Sequence, residues 1–178
     1  MEIAFFEVEQ WEEKIIKEAL PQVKIVLNHE KLDDFSAVSV NDLEIISIFV
    51  DSRITSKVLD KFPKLKFITT RSTGYDHIDL KACAKRSIGV AYVPGYGDNT
   101  VAEFAFGLLL SLSRKIYRAI DQIKETESFS FNGLRGFDLK GKAMGIIGTG
   151  RIGKEAIKIA KGFGMNILAY DPFPAEDF

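Results

Sequence analysis

The feature that most constrains this chain is Ala143-Met-Gly-Ile-Ile-Gly-Thr-Gly-Arg-Ile-Gly153, with Leu168-Ala-Tyr-Asp171 behind it. An apolar run over 143–147 enters Gly148-x-Gly150-x-x-Gly153, and a helical pattern follows to Phe163. A second apolar run, 165–170, ends on a carboxylate. Strand, glycine turn, helix, strand and acid, in that order, are what a dinucleotide-binding βαβ unit requires. Gly148 is expected to permit the tight turn, Gly150 to let backbone approach a pyrophosphate, and Gly153 to let helix and strand pack closely. The free N–H groups at the helix start would face the phosphates. Asp171, eighteen positions after Gly153, is placed to accept hydrogen bonds from the ribose hydroxyls and to repel a 2′-phosphate. Pro172-Phe173-Pro174 offers no cation for that phosphate, so NAD is favoured over NADP. The Arg151 side chain, inside the turn, is expected to face pyrophosphate or solvent.

Upstream, strand and helix signals alternate. Strands are expected over 2–6, 23–27, 44–50, 66–70 and 89–93, and helices over 11–20, 55–62 and 79–87. Strands separated by helices imply an open parallel sheet with helices on its faces. The turn Pro94-Gly-Tyr-Gly-Asp-Asn99 reads as a boundary, so 1–97 and 98–178 are expected to be separate domains. Composition rules out several classes. A formal charge of −1 over 178 residues gives no basic field for nucleic acid or an anionic membrane. No apolar run reaches the length of a membrane span, and the acidic start, Met-Glu-Ile-Ala-Phe-Phe-Glu, does not read as a signal peptide. A cytoplasmic location is the expectation. The single cysteine, Cys83, reads as a small buried side chain.

One long helix is expected over about 100–125. Thr100-Val-Ala-Glu103 fits a capping box. Val101, Phe104, Ala105, Leu108, Leu109, Leu112, Ile116, Ile120 and Ile123 recur on one face. Leaving the eight large ones exposed would forfeit on the order of 12–24 kcal/mol. That face must be covered, either as ordinary core or as a share of a homodimer interface.

Arg71-Ser-Thr-Gly-Tyr-Asp-His-Ile-Asp79 follows an expected strand, where an open α/β sheet binds ligands. Gly74 would let the chain turn so that successive N–H groups point at one anion, such as a carboxylate. The plainer alternative is a turn into the next helix, with Asp76 or Asp79 as its cap.

Several separated segments together resemble the NAD-dependent D-2-hydroxyacid dehydrogenases. They are 71–79, Val93-Pro-Gly-Tyr-Gly-Asp-Asn-Thr-Val-Ala-Glu103, Phe131-Asn-Gly-Leu-Arg-Gly-Phe-Asp-Leu-Lys-Gly-Lys142, 145–153 and Lys161-Gly-Phe-Gly-Met-Asn-Ile-Leu-Ala-Tyr-Asp-Pro-Phe-Pro174. The Phe137-Asp-Leu-Lys-Gly-Lys stretch and the Tyr-Asp-Pro-Phe-Pro ending are most similar to the D-lactate dehydrogenase branch. The resemblance implies a flavodoxin-like substrate-domain part followed by the start of a Rossmann domain. It implies that the Thr73 and Gly74 N–H groups hold the substrate carboxylate. Tyr96 would sit beside the substrate and Phe49 near its small side chain. Val101 would lie near the nicotinamide, Arg151 and Ile152 would offer backbone to the pyrophosphate, and Asp171 would contact the ribose. The substrate would be a small 2-oxo or 2-hydroxy acid, pyruvate and D-lactate first.

The chain departs from that family in what it lacks. Members run on for roughly as many residues again, and an Arg that polarises the oxo acid, a His acid/base and a Glu that tunes it come from there. The chain therefore reads as an N-terminal portion, inactive alone, with no catalytic residue of its own. His29 lies in a polar connection. His77 stands where the family does no acid/base work and reads as a loop or hinge side chain; Glu103 reads as a cap. The competing reading is a non-catalytic module that binds NAD or a small carboxylate, or the product of a truncated gene.

Overall fold

The computed structural model describes residues 1–38 and 42–174. The chain divides into two compact units, Met1–Pro94 and Gly95–Phe178. The break falls three residues before the boundary expected at 97/98, and the last four residues of the expected 98–178 segment lie outside the described residues.

The first unit is a parallel sheet flanked by short helices. Its elements are β1 (Glu2–Phe5), α1 (Gln10–Ala19), β2 (Lys24–Leu27), β3 (Ile45–Ile48), α2 (Ser56–Asp60), β4 (Phe67–Thr70), α3 (Leu80–Lys85) and β5 (Gly89–Ala91). All four strand pairings are parallel, in the order β2-β1-β3-β4-β5. That is the flavodoxin-like order, with its topological switch between β1 and β3. Apolar strands buried on both faces explain the continuous run in β3: Ile46 and Ile48 are buried together with Ala4, Phe6, Leu43, Val58, Leu59 and Ile68. Caps are local and legible. Thr55 Oγ1 accepts from the Val58 N–H, and Asp79, rather than Asp76, accepts from the Ala82 N–H at 2.9 Å. Cys83 is buried in this core, and burial pushes its thiol pKa up, with the Asp79 charge adding to it.

The second unit contains α4 (Asp98–Ser113), α5 (Ile116–Thr126), β6 (Ala143–Ile147), α6 (Arg151–Gly162) and β7 (Asn166–Tyr170). Among the described residues its sheet has two strands, β6 and β7, parallel and in register from Ala143 opposite Asn166 to Ile147 opposite Tyr170. The expected single helix over 100–125 is two helices. Lys115 breaks it in a left-handed conformation, φ 54°. The cause lies downstream. The Phe137 N–H donates to the Ser113 carbonyl at 3.0 Å, an approach possible because a Cβ at Gly136 would stand 2.0 Å from that oxygen. The expected capping box is also absent. Gly97 is the N-cap, so Thr100 already lies within the helix, and the Glu103 carboxylate accepts from Asn99 Nδ2 instead.

The covered face of α4 is not the stripe that the spacing selects. Ala102, Phe106 and Ser113 are its buried residues, and the Phe106 ring stacks on Phe163 at 5.6 Å. Val101, Phe104, Leu108, Leu112, Ile116, Ile120 and Ile123 are exposed, Leu112 by 76% and Phe104 by 68%. No helix is long and apolar enough to cross a membrane among the described residues.

Candidate functional site

The glycine turn of the second unit assigns each glycine a separate physical reason. Gly148 has φ +92°, a conformation that a side chain resists. A Cβ at Gly153 would stand 2.1 Å from the Gly148 carbonyl oxygen, so only glycine lets α6 start this close to the turn. A Cβ at Gly150 would meet nothing within 4 Å; what glycine leaves there is open room above the backbone. Gly150 is the N-cap of α6, with Arg151, Ile152 and Gly153 forming its first turn. First-turn N–H groups lie beyond their helix's own carbonyl ladder and give its start positive character.

Asp171 sits at the end of β7 and closes on this turn. Its Oδ2 accepts from the Thr149 N–H at 2.6 Å and from Thr149 Oγ1 at 3.2 Å, and its Oδ1 accepts from the Phe173 N–H at 2.8 Å. The Thr149 N–H first, and the Phe173 N–H second, hold the carboxyl below the ordinary carboxylate range. It therefore stays ionised and keeps lone pairs for further donors. The Arg151 side chain, about half exposed to solvent, is also paired. Its Nε pairs with Asp98 Oδ2 at 2.8 Å and its Nη2 reaches Asp98 Oδ1 at 3.3 Å. Asp98 opens α4, so this pair ties the starts of two helices together. Val101, in the first turn of α4, and Tyr96, in the turn before it, both present exposed side chains.

In the first unit, the loops leaving β1, β3 and β4 meet at the carboxyl end of the sheet. Glu7, in a left-handed conformation at φ 55°, places its carboxylate among N–H groups of the loop after β3. It accepts from Phe49 N at 2.9 Å, Asp51 N at 2.7 Å and Ser52 N at 3.1 Å, and from the Ser52 hydroxyl. Phe49 is thereby fixed at the strand end with its side chain partly exposed. Arg71 completes the brace. Its Nη2 donates to the Phe6 and Glu7 carbonyls at 3.0 and 2.8 Å, and its guanidinium lies 5.8 Å from the Phe49 ring centroid.

Thr73 and Gly74 follow Arg71. Among the described residues neither backbone N–H has an acceptor, while Thr73 Oγ1 donates to the Val93 carbonyl. Gly74 departs from its expected reason. Its φ is not in the left-handed range, and a Cβ would meet nothing within 4 Å. Neither a left-handed angle nor a crowding neighbour requires glycine there; its lack of a side chain leaves the space in front of the backbone open. His77 Nε2 lies 3.2 Å from the buried Thr70 Oγ1, and His29 spans the Val8 carbonyl and the Glu13 carboxylate. A separate cavity of about 560 Å³, lined by residues that include Lys31, Asp34, Asp51 and Arg53, contains neither Phe49 nor Thr73 nor Gly74.

Residues 3–166 match the model of the catalytic domain of D-isomer specific 2-hydroxyacid dehydrogenases. The chain belongs to that family. It is 38% identical over 179 residues to the 2-hydroxyacid dehydrogenase homolog of Haemophilus influenzae, spanning 97% of this chain and 53% of that protein. With the D-lactate dehydrogenase of Escherichia coli it shares 35% identity over 179 residues, 98% of this chain and 54% of the relative. Among solved structures, D-lactate dehydrogenase from Aquifex aeolicus complexed with NAD and lactic acid superposes with a TM-score of 0.87 at 34% identity. That match covers 98% of this chain and 53% of the other. The chain thus spans about half the length of the dehydrogenases it matches. Sequence reasoning missed Glu7, Asp98 and Thr149, whose roles lie in partners distant in sequence, and left Arg71 without a task.

Proposed function

We propose that the chain supplies the N-terminal half of an NAD-dependent D-2-hydroxyacid dehydrogenase acting on a small 2-oxo acid, pyruvate first. The observation that carries the reading is the pair of adjacent open N–H groups at Thr73 and Gly74, at the carboxyl end of β4 and with free space in front of Gly74. Two neighbouring donors fit the two oxygens of a carboxylate. Phe49, held by Glu7, would bound the substrate's small side chain, and Tyr96 would lie beside the substrate.

The second unit fits a dinucleotide. The room above Gly150 suits a pyrophosphate, backed by the first-turn N–H groups of Ile152 and Gly153. Asp171, ionised and tethered to Thr149, would accept from the ribose hydroxyls, which favours NAD over NADP. Val101 would border the nicotinamide. When bound, the nicotinamide supplies the hydride that reduces C2 of the 2-oxo acid. The chain's own residues bind and orient; a group that protonates the new alkoxide would come from residues beyond those matched here.

The exposed stripe along α4 and α5, too large to leave in water, would be covered by a second copy of the chain. The gene decides the enzymatic reading most cheaply. An in-phase continuation carrying Asn-x-x-Arg-Gly and a later Glu and His supports it; a stop with no such sequence nearby favours a non-catalytic NAD- or carboxylate-binding module. Under the proposal the 178-residue chain, assayed alone, shows no pyruvate-dependent NADH oxidation. Turnover at ordinary enzyme rates by a homogeneous sample would contradict it.

A further inference from the structure

The side chains beneath the open N–H groups form a one-way chain of hydrogen bonds. Ser72 Oγ donates to the Gly74 carbonyl at 2.7 Å, closing a short loop around Thr73 and Gly74. A hydroxyl has one proton to give. Ser72 has committed its proton to Gly74, so the 2.6 Å contact between Thr70 Oγ1 and Ser72 Oγ is donated by Thr70. The Thr70 proton is then committed too, and the 3.2 Å contact with His77 Nε2 must be donated by the imidazole. The direction is fixed from end to end: His77 Nε2–H to Thr70, Thr70 to Ser72, Ser72 to the Gly74 carbonyl.

Thr70 and Ser72 are buried, so water cannot stand in for a lost partner and each break leaves an unsatisfied polar group. The backbone of His77 is fixed independently. Its carbonyl accepts from the Ile54 N–H at 2.9 Å, and the Asp79 N–H donates to the Ile54 carbonyl at 2.9 Å; Ile54 itself is buried.

We infer that His77 is a positioning residue for the substrate carboxylate: its Nε2 proton orients the Thr70 and Ser72 hydroxyls, and the bond from Ser72 to the Gly74 carbonyl in turn holds closed the turn that carries the Thr73 and Gly74 N–H donors. The inference rests on the reading of Thr73 and Gly74 as the carboxylate site. It gives His77 a task in which the Nε2 proton stays in place, unlike an acid that delivers its proton to the substrate.

NMR on the 178-residue chain with ¹⁵N-labelled histidine tests this. Neutral His77 is expected as the Nε2–H tautomer; an Nδ1–H tautomer would overturn the relay. A pyruvate titration then follows the Thr73 and Gly74 amide signals in wild type, His77→Leu and His77→Gln. Leu removes the donor, whereas Gln carries a donor nitrogen close to the Nε2 position. The apparent Kd for pyruvate should rise about three- to tenfold in His77→Leu and return toward wild type in His77→Gln. Equal Kd in all three proteins would overturn the relay while leaving the carboxylate site standing. Thr73 and Gly74 signals that ignore pyruvate already in wild type would overturn the carboxylate reading itself, and the role of His77 with it.

Discussion

The two units solve the same problem to different degrees. In Met1–Pro94 five parallel strands bury Ile46, Ile48 and Ile68 completely, and α2 and α3 close the sheet with Val58, Leu59 and Cys83. In Gly95–Phe178 the two described strands leave Ile147 89% and Leu168 67% exposed, and α5 has no buried residue at all. A two-stranded unit is marginal by itself, and its apolar faces and open edges call for further strands or another chain. The difference teaches that local motif quality and local completeness are separate properties. The glycine turn is fully formed on the sheet that is less complete.

Core substitutions should break the comparison most strongly. Ile46→Ala in the first unit should cost about 2–5 kcal/mol, the range for a buried large-to-small change. Ile147→Thr should cost less than about 0.5 kcal/mol, as at an exposed position. Urea titrations read by probes in each unit would measure both. Similar losses would mean that Ile147 is already covered in solution.

The exposed stripe offers the next largest effect. Leu112→Asp should lower the oligomeric state seen by analytical ultracentrifugation, because a charge would enter the face that the proposed second copy would cover. The same substitution should leave the first unit's unfolding unchanged. A wild-type chain that is monomeric at high concentration would remove the second copy from the account.

Asp171→Ala should weaken NADH binding about tenfold or more and narrow the preference for NADH over NADPH, since the proposed ribose contact and the repulsion of a 2′-phosphate would be lost. Calorimetric titration of both cofactors checks this, and an unchanged ratio removes Asp171 from the ribose site. The loss has a second cause, because the Thr149 tether goes with it. The smallest effect is on pH. The folded Asp171 pKa is lowered, so the tether contributes fully above the unfolded value of about 3.9. It is lost as pH falls through the lower, folded value. The Thr149 amide signal should therefore change only below about pH 4; a change at higher pH would contradict the assigned cause.

Much of this was legible in sequence because its causes are local. Gly148 and Gly153 carry backbone and packing requirements that a motif records, Thr55 and Asp79 cap helices that start one residue later, and strands alternating with helices dictate a parallel sheet. What escaped depends on distant partners. Phe137 takes the Ser113 carbonyl from 24 residues away and splits the long helix. The stripe from Val101 to Ile123 identifies an apolar face, but spacing cannot say that the Phe106 side packs on Phe163 first. Glu7 reaches Phe49, Asp51 and Ser52 across more than forty residues. Gly74 shows the converse error: its residue type was read as a conformational need, while its backbone angle is ordinary.

Residue-resolved hydrogen exchange on the 178-residue chain tests the central asymmetry most directly. Amides of β3 and β4, such as Ile46 and Ile68, should exchange only through global unfolding of their unit. Amides of β6 and β7, such as Ile146 and Leu168, should exchange orders of magnitude faster through local opening. Equal protection of both sheets in a monomeric sample would contradict the account, and would mean that the second unit is as complete by itself as the first.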